Sequence, residues 1–237
     1  MPDYIDLRIL LFFLIGLFST GSLSAQYSKN PLVVNYDKSD YNAANQNWTI
    51  SFDSLGITYF GNNDGLLEFD GSNWSLHLMP ENSVARSVAS DGANRIYVGS
   101  YEEFGFMERD SKGQLHYISL SDSVDNSELH NDEIWRILIH DDKIYFQSFW
   151  RIFVYDGKSI EVIRPGRAIV LLMKARGRLF IHKVGCGIYE LIENRLVFME
   201  GSEILADDEV KAFMPYGKSD FIVGAASGGL YIYRNKT

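Results

Sequence analysis

Residues 59–74 read YFGNNDGLLEFDGSNW, two short apolar runs that are each followed by a cluster of turn-forming residues. Asn, Asp and Gly tolerate the left-handed backbone that tight hairpin turns require. The turns at 62–65 and 70–73 therefore predict three consecutive antiparallel strands over 57–61, 66–69 and 74–78. The alternating run from Trp48 to Phe52 predicts one more strand ahead of them.

The same pattern recurs along the chain. After Tyr59-Phe60-Gly61, an apolar pair followed by Gly or a substitute returns at Tyr97-Val98-Gly99, Tyr145-Phe146-Gln147, Phe180-Ile181-His182 and Ile222-Val223-Gly224. Four short strands in about 40–45 residues are typical of one blade of a β-propeller. The sequence predicts an all-β fold, a propeller of four-stranded antiparallel blades at about 44–80, 84–120, 133–163, 168–200 and 209–237.

The fifth predicted blade has only three strands, so about four and a half blades are present. An open ring would leave unpaired sheet edges, which soluble proteins normally protect. We therefore expect this chain to be a fragment of a longer protein, and we expect it to associate when isolated. No segment after the N-terminal region has a sustained helical period, so the only predicted helix lies in that region.

The N-terminal region has the features of a signal peptide. Ile9 to Phe18 is an unbroken apolar run of ten residues, whereas a membrane-spanning helix needs about 20. Small residues follow it, and cleavage before Gln26 would place Ala25 at the −1 position. We predict a signal peptide over 1–25 and export to the periplasm. An uncleaved anchor is the alternative.

Composition narrows the class further. Hydrophobic residues make up 46% of the 237 residues and charged residues 22%, as in ordinary globular proteins. Cys186 is the only cysteine, so no intramolecular disulfide can form. The net charge of −9, without basic blocks, argues against binding of nucleic acid by this segment.

No motif indicates catalysis. The stretch 212–219 loosely matches a phosphate-binding loop, but Gly217-Lys218 lies in a predicted β-hairpin turn instead of before a helix. The five histidines are scattered singly, without the spacing of metal ligands. The acidic clusters lack the pattern of a calcium loop. We predict no catalytic residue, no metal ligand and no cofactor in this segment.

Candidate binding residues lie in the loops between the second and third strands of the blades, which emerge with the blade-to-blade connections on one face of a propeller. Aromatic and hydrogen-bonding groups there suit a small ligand such as a carbohydrate or a peptide, or a protein partner. The candidates are Asn62, Asn63, Tyr101, Glu102, Trp150, Arg151 and Lys183. Trp150 and Arg151 are the leading pair. Alternatively, Trp150 packs between blades and Arg151 covers it.

Two motifs carry a family resemblance. Asn47-Trp48-Thr49-Ile50, followed by the stretch from Tyr59 to Gly71 and by Trp74, resembles the first blade of the two-component regulator propeller family. The segment from Pro31 to Tyr36 resembles the start of a subgroup common in Bacteroidetes. Gln147 and His182 depart from the pattern, because glycine is expected at both positions.

This resemblance implies an exported N-terminal propeller sensor followed by a "three Y" β-sandwich domain, one membrane helix, and an output domain in the cytoplasm. The output domain in such proteins is a histidine kinase or a helix-turn-helix regulator. Residues that carry phosphate or bind DNA lie beyond the propeller, so none is transferred to this chain.

We therefore predict a ligand-sensing or recognition module of a bacterial signal-transduction regulator, exported and tethered to the membrane in its full-length parent, with no catalysis in this segment. Two alternatives stay open. One is an extracellular propeller enzyme similar to a lyase or a glycosidase, which would need an acid and a base that converge at the central funnel. The other is a structural propeller that mediates protein contacts.

Overall fold

The computed structural model describes residues 33–234, so the predicted signal peptide lies outside the described residues. These residues form five antiparallel sheets, which confirms the all-β prediction. Sheets 1 to 4 have four strands each and sheet 5 has three. In every sheet the strands pair in chain order, as consecutive hairpins do.

The strands are numbered in chain order. Sheet 1 contains β1 (Asn47–Phe52), β2 (Thr58–Asn62), β3 (Gly65–Phe69) and β4 (Trp74–His77). Sheet 2 contains β5 (Ser87–Ser90), β6 (Arg95–Gly99), β7 (Phe104–Arg109) and β8 (Leu115–Ser119). Sheet 3 contains β9 (Arg136–His140), β10 (Lys143–Gln147), β11 (Ile152–Tyr155) and β12 (Ile160–Ile163). Sheet 4 contains β13 (Ile169–Ala175), β14 (Arg178–Lys183), β15 (Gly187–Ile192) and β16 (Arg195–Phe198). Sheet 5 contains β17 (Val210–Tyr216), β18 (Asp220–Ala225) and β19 (Leu230–Tyr233).

The first strand of each sheet lies beside the first strand of the next sheet, in the order β1, β5, β9, β13 and β17. Consecutive sheets also pack face to face, and the hydrophobic core is divided into one cluster for each pair of neighbours. Between sheets 2 and 3, Phe104 lies 4.6 Å from Phe146 and 4.9 Å from Phe153, measured between ring centroids. This arrangement of blades is that of a β-propeller.

Two glycines of the repeated motif lie where the chain that leads into the next sheet approaches closely. A Cβ atom added to Gly61 would lie 2.7 Å from the carbonyl oxygen of Ala85. One added to Gly99 would lie 2.4 Å from the Cγ2 atom of Ile134. No side chain fits at either position without a shift of the neighbouring sheet.

The two departures from this motif have a structural explanation. Gln147 is buried, and its Oε1 atom accepts a hydrogen bond from the Leu172 amide in the next sheet at 2.9 Å. His182 is buried as well, and its Nε2 atom lies 2.9 Å from the Leu205 carbonyl oxygen. At these two blade boundaries a polar side chain at the glycine position reaches the backbone of the next sheet or of the chain that leads into it.

Within residues 33–234, one turn of α-helix and four turns of 3₁₀ helix were not predicted. The 3₁₀ turns are Pro80–Asn82, Ser121–Ser123, Asn126–Glu128 and Ser202–Leu205. Lys38–Tyr41 forms a short α-helix, α1, where the sequence predicted no helix after the N-terminal region. The Asp37 side chain accepts from the Ser39 amide, and the Asp40 side chain accepts from the Asp37 amide. This capping box, with Asn42 in the left-handed conformation at the other end, stabilises a turn too short to show a helical period.

Candidate functional site

The loops between second and third strands share one face with the connections between sheets. We call it the loop face. In each of sheets 1 to 4, a backbone hydrogen bond of 2.7 to 3.0 Å joins this loop to the chain that leads into the next sheet. The bonds join Ala85 to Asn62, Ile134 to Ser100, Ile169 to Phe149 and Gly185 to Ala206, and the loop residues among them are Asn62, Ser100, Phe149 and Gly185. Since these loops are fixed to their neighbours, groups on them are held in place relative to each other.

Three equivalent positions on the loop face form an aromatic cluster. The guanidinium of Arg86 lies 3.7 Å from the centroid of the Trp48 ring and 4.8 Å from that of Trp135. The two indoles meet edge to face, with an angle of 83° between their planes. Arg86 Nε also donates to Glu133 Oε1 at 2.6 Å. Phe149 extends the cluster, with its ring centroid 5.1 Å from that of Trp135. We call Trp48, Arg86, Trp135 and Phe149 the aromatic cluster of the loop face.

Sequence reasoning missed Arg86 and Trp135. The motif residues Gly61, Gly99 and Gln147 each pair with one residue on the first strand of their sheet. Their partners are Thr49, Ser87 and Arg136. The residues that come one position before these partners are Trp48, Arg86 and Trp135. Alignment of the copies by this position would have placed the three side chains side by side.

Asn62 and Asn63 lie beside Trp48 of the aromatic cluster. The Asn62 side chain is buried, and its Nδ2 atom donates to the Ala44 carbonyl and to Asn47 Oδ1, each at 2.7 Å. Its Oδ1 atom accepts from the Asp64 amide, so both ends of the side-chain amide hold the turn. Asn63 Oδ1 accepts from Trp48 Nε1 at 2.7 Å and fixes the indole.

Tyr101 and Glu102 form a second group, with residues 130–131. The Tyr101 hydroxyl donates to Asn131 Oδ1 at 3.0 Å, and the ring is half exposed. Glu102 Oε1 accepts from the Asn131 amide at 2.5 Å and lies 3.4 Å from His130 Nδ1. This carboxylate therefore already has partners within the protein.

The loop at 148–151 is a tight turn built on a buried carboxylate. Asp132 is only 3% exposed, and its Oδ2 atom accepts from the Ser148 hydroxyl at 2.5 Å. The Ser148 Oγ atom in turn accepts from the amides of Trp150 and Arg151. The Ser148 amide closes the turn by donating to the Arg151 carbonyl at 2.9 Å. Trp150 is thus held on a fixed backbone.

Trp150 and Arg151 lie together at a groove of about 300 Å³, which Arg164, Gly166 and Arg167 also line. The Trp150 side chain is 54% exposed, so it does not pack between sheets. Among the described residues no cation–π contact joins Arg151 to Trp150, because the Arg151 guanidinium pairs with Glu128. The arrangement presents an indole face beside arginine side chains.

Lys183 makes its contact within its own sheet. Its Nζ atom is 4.4 Å from the centroid of the Tyr189 ring, a cation–π contact within sheet 4.

Within residues 33–234, no three His, Cys, Asp or Glu side chains lie close enough together to hold a metal ion. None of the helices in that range is long and apolar enough to cross a membrane.

No protein-family profile and no curated protein matches this sequence. Solved structures do resemble it. The extracellular domain of the one-component system BT4673 from B. thetaiotaomicron has a TM-score of 0.56 at 13% identity, covering 78% of this chain and 27% of that chain. The WD40 β-propeller domain of Doa1 has a TM-score of 0.52 at 10% identity, covering 74% and 60%. Streptogramin B lyase has a TM-score of 0.51 at 12% identity, covering 79% and 68%.

These identities establish the fold alone. This chain spans only about a quarter of the BT4673 chain, which is therefore much longer than the shared region. The arrangement of the sheets and the similarity to a known propeller domain agree, and the chain has the β-propeller fold.

Proposed function

We propose that this chain is an exported recognition module that binds a ligand on its loop face and leaves the ligand chemically unchanged. The observation that carries the proposal is Trp150, a half-exposed indole on a turn fixed by buried Asp132. An aromatic side chain on a fixed backbone has only two rotatable bonds to order, so it loses little conformational entropy on binding and is well suited to recognition.

Two further observations support a sensor. The first-blade motifs resemble those of the two-component regulator propeller family, and the fold is similar to the extracellular domain of BT4673, described as a one-component and as a hybrid two-component system. In this proposal the module belongs to a membrane-tethered regulator, and ligand binding changes the geometry of the parts attached to it. The output domain would lie in the cytoplasm.

The binding experiment is a thermal-shift screen of the purified chain against small carbohydrates, peptides and organic acids. The proposal predicts at least one compound that raises the melting temperature with a saturable concentration dependence, because a ligand that binds only the folded state stabilises it. Mass spectrometry after prolonged incubation should then recover the compound unaltered. Conversion to a product would favour the enzyme alternative and contradict recognition without catalysis.

Export is tested separately. Residues 1–25 are fused to a phosphatase that is active only outside the cytoplasm, and the matched variant replaces Leu14 by Arg within the apolar run. The proposal predicts activity for the first fusion and loss of activity for the variant, because a charge in the apolar segment impairs recognition as a signal. Equal activity of both fusions would contradict an exported module.

A further inference from the structure

The groove beside Trp150 is formed by two segments of the chain. Trp150 and Arg151 lie on the loop between β10 and β11, whereas Arg164, Gly166 and Arg167 lie on the connection from β12 to β13. The Ile169 amide donates to the Phe149 carbonyl at 2.7 Å and ties the connection to the loop. The two sides of the groove are therefore fixed relative to each other.

Glu128 fixes two of the three arginines. One of its carboxylate oxygens accepts from Arg151 Nε, and the other accepts from the Arg164 guanidinium, with Arg164 Nε at 3.1 Å. Charge-assisted hydrogen bonds of this kind are among the strongest between side chains. They hold both guanidinium groups at the edge of the groove.

Arg167 is different. Its side chain is exposed, and none of the ion pairs found among residues 33–234 includes it. The guanidinium lies against the next loop, since its Nη1 atom would be 3.5 Å from a Cβ atom built on Gly185. A guanidinium without a carboxylate partner is available to bind an anion.

The local charge is opposite to that of the whole protein. The chain has a net charge of −9. The groove has three arginines, and the carboxylates that face them are Glu128 and Asp132, the latter 4.0 Å from Arg151. One positive charge is left over, which favours a ligand with a single negative charge.

We infer that this groove binds a small monocarboxylate with a flat ring, the carboxylate on Arg167 and the ring on the face of Trp150. The planar guanidinium fork matches the two oxygens of one carboxylate, and the exposed indole offers a stacking surface. A groove of about 300 Å³ is at the small end of ligand sites. The inference rests on the proposed function and names the ligand class for one part of the loop face.

Calorimetric titration of the full chain with benzoate tests this inference. Benzamide has the same ring without the charge, and acetate has the charge without the ring. We expect benzoate to bind with a Kd of about 1 mM or tighter, and benzamide and acetate each at least about tenfold more weakly. Equal binding of benzoate and benzamide, or no saturable binding of benzoate to the wild-type chain, would overturn the inference.

The matched variants are Arg167→Gln and Arg195→Gln, which each remove one exposed arginine, at the groove and on β16 respectively. Arg167→Gln should weaken benzoate binding about tenfold or more, and Arg195→Gln less than about twofold. Unchanged binding by Arg167→Gln would remove Arg167 from the site and overturn the inference. If the thermal-shift screen finds a neutral ligand while benzoate fails to bind, the proposed function stands and the carboxylate assignment falls.

Discussion

The guanidinium carbon of Arg86 lies 3.7 Å from the centroid of the Trp48 ring and 4.8 Å from that of the Trp135 ring. Trp48 belongs to sheet 1, Arg86 leads into sheet 2, and Trp135 leads into sheet 3. One side chain therefore joins three successive blades. Together with the apolar packing and the hydrogen bonds between blades, this contact fixes the register of the blades at the loop face.

Replacement of Arg86 by alanine should lower the free energy of unfolding by about 2–4 kcal/mol, because it removes the cation–π contacts and leaves the Glu133 carboxylate without its partner. Urea denaturation measures the change. The control, Arg195→Ala, removes an exposed arginine and should change stability by less than about 0.5 kcal/mol. Similar small effects of both variants would show that the Arg86 contacts do not join the blades.

Glu68 makes the contact between sheets 1 and 2 dependent on pH. Burial alone would raise the pKa of this carboxyl group, but hydrogen bonds from His77 and Arg109 lower the pKa below its usual value of 4.5. The stabilisation is therefore present above pH 4.5 and is lost as the pH falls through the lower pKa of the folded state.

Glu68→Gln should be less stable than the wild type at neutral pH, and the difference should shrink as the pH falls below about 4.5. Urea denaturation at a series of pH values measures it. Glu200→Gln, on an exposed carboxylate, is the matched control and should follow the wild type. A stability difference that stays constant down to acid pH would refute the linkage to Glu68.

His182 is expected to act in a different pH range. Burial lowers its pKa below 6.5, and this outweighs the hydrogen bond to the Leu205 carbonyl and the nearby charges of Glu209 and Asp208. The folded state therefore favours the neutral imidazole ring. The contribution of His182 to the stability of the folded state is complete above pH 6.5 and is lost as the pH falls through the lower pKa of the folded state. The loss is at most about 1.4 kcal/mol per pH unit.

His182→Gln should remove this part of the pH dependence, whereas His130→Gln, on an exposed side chain, should retain it. Thermal melts between about pH 7.5 and 5.5 compare the two variants with the wild type. If His182→Gln loses stability on acidification as steeply as the wild type does, then His182 is not the group that titrates.

The strands could be predicted from the sequence because they depend on local patterns. Each turn, such as those at 62–65 and 70–73, can be recognised within about ten residues of sequence. The same is true of the alternation of apolar and polar residues in the strands. Contacts between blades could not be predicted in this way. Glu128 binds Arg164 36 residues further along the chain, and Asp132 fixes Ser148 16 residues further along. The groove exists because the fold brings these segments together, so the sequence indicated Trp150 and Arg151 without Arg164 and Arg167.

The buried carboxylate of Asp132 should control the order of the Trp150 turn. Asp132→Ala removes the buried carboxylate that accepts from the Ser148 hydroxyl and from the Phe149 amide. The change should cost about 2–3 kcal/mol of stability. The amides of Trp150 and Arg151 should then exchange with deuterium faster than in the wild type, measured by mass spectrometry. Asp207→Ala, on an exposed side chain, is the control. Unchanged exchange in Asp132→Ala would mean that the turn holds its shape without Asp132.

Recognition through the loop face is tested most directly by the effect of Trp150→Ala on binding and on stability, measured separately. The ligand is the most stabilising compound of the thermal-shift screen, and Trp74→Phe is the control within an aromatic cluster of sheet 1. We predict that Trp150→Ala weakens binding at least about tenfold and changes the free energy of unfolding by less than about 1 kcal/mol, because the indole is half exposed. Trp74→Phe should retain the wild-type affinity. Lower stability of Trp150→Ala with unchanged affinity would contradict the account and make Trp150 a structural residue.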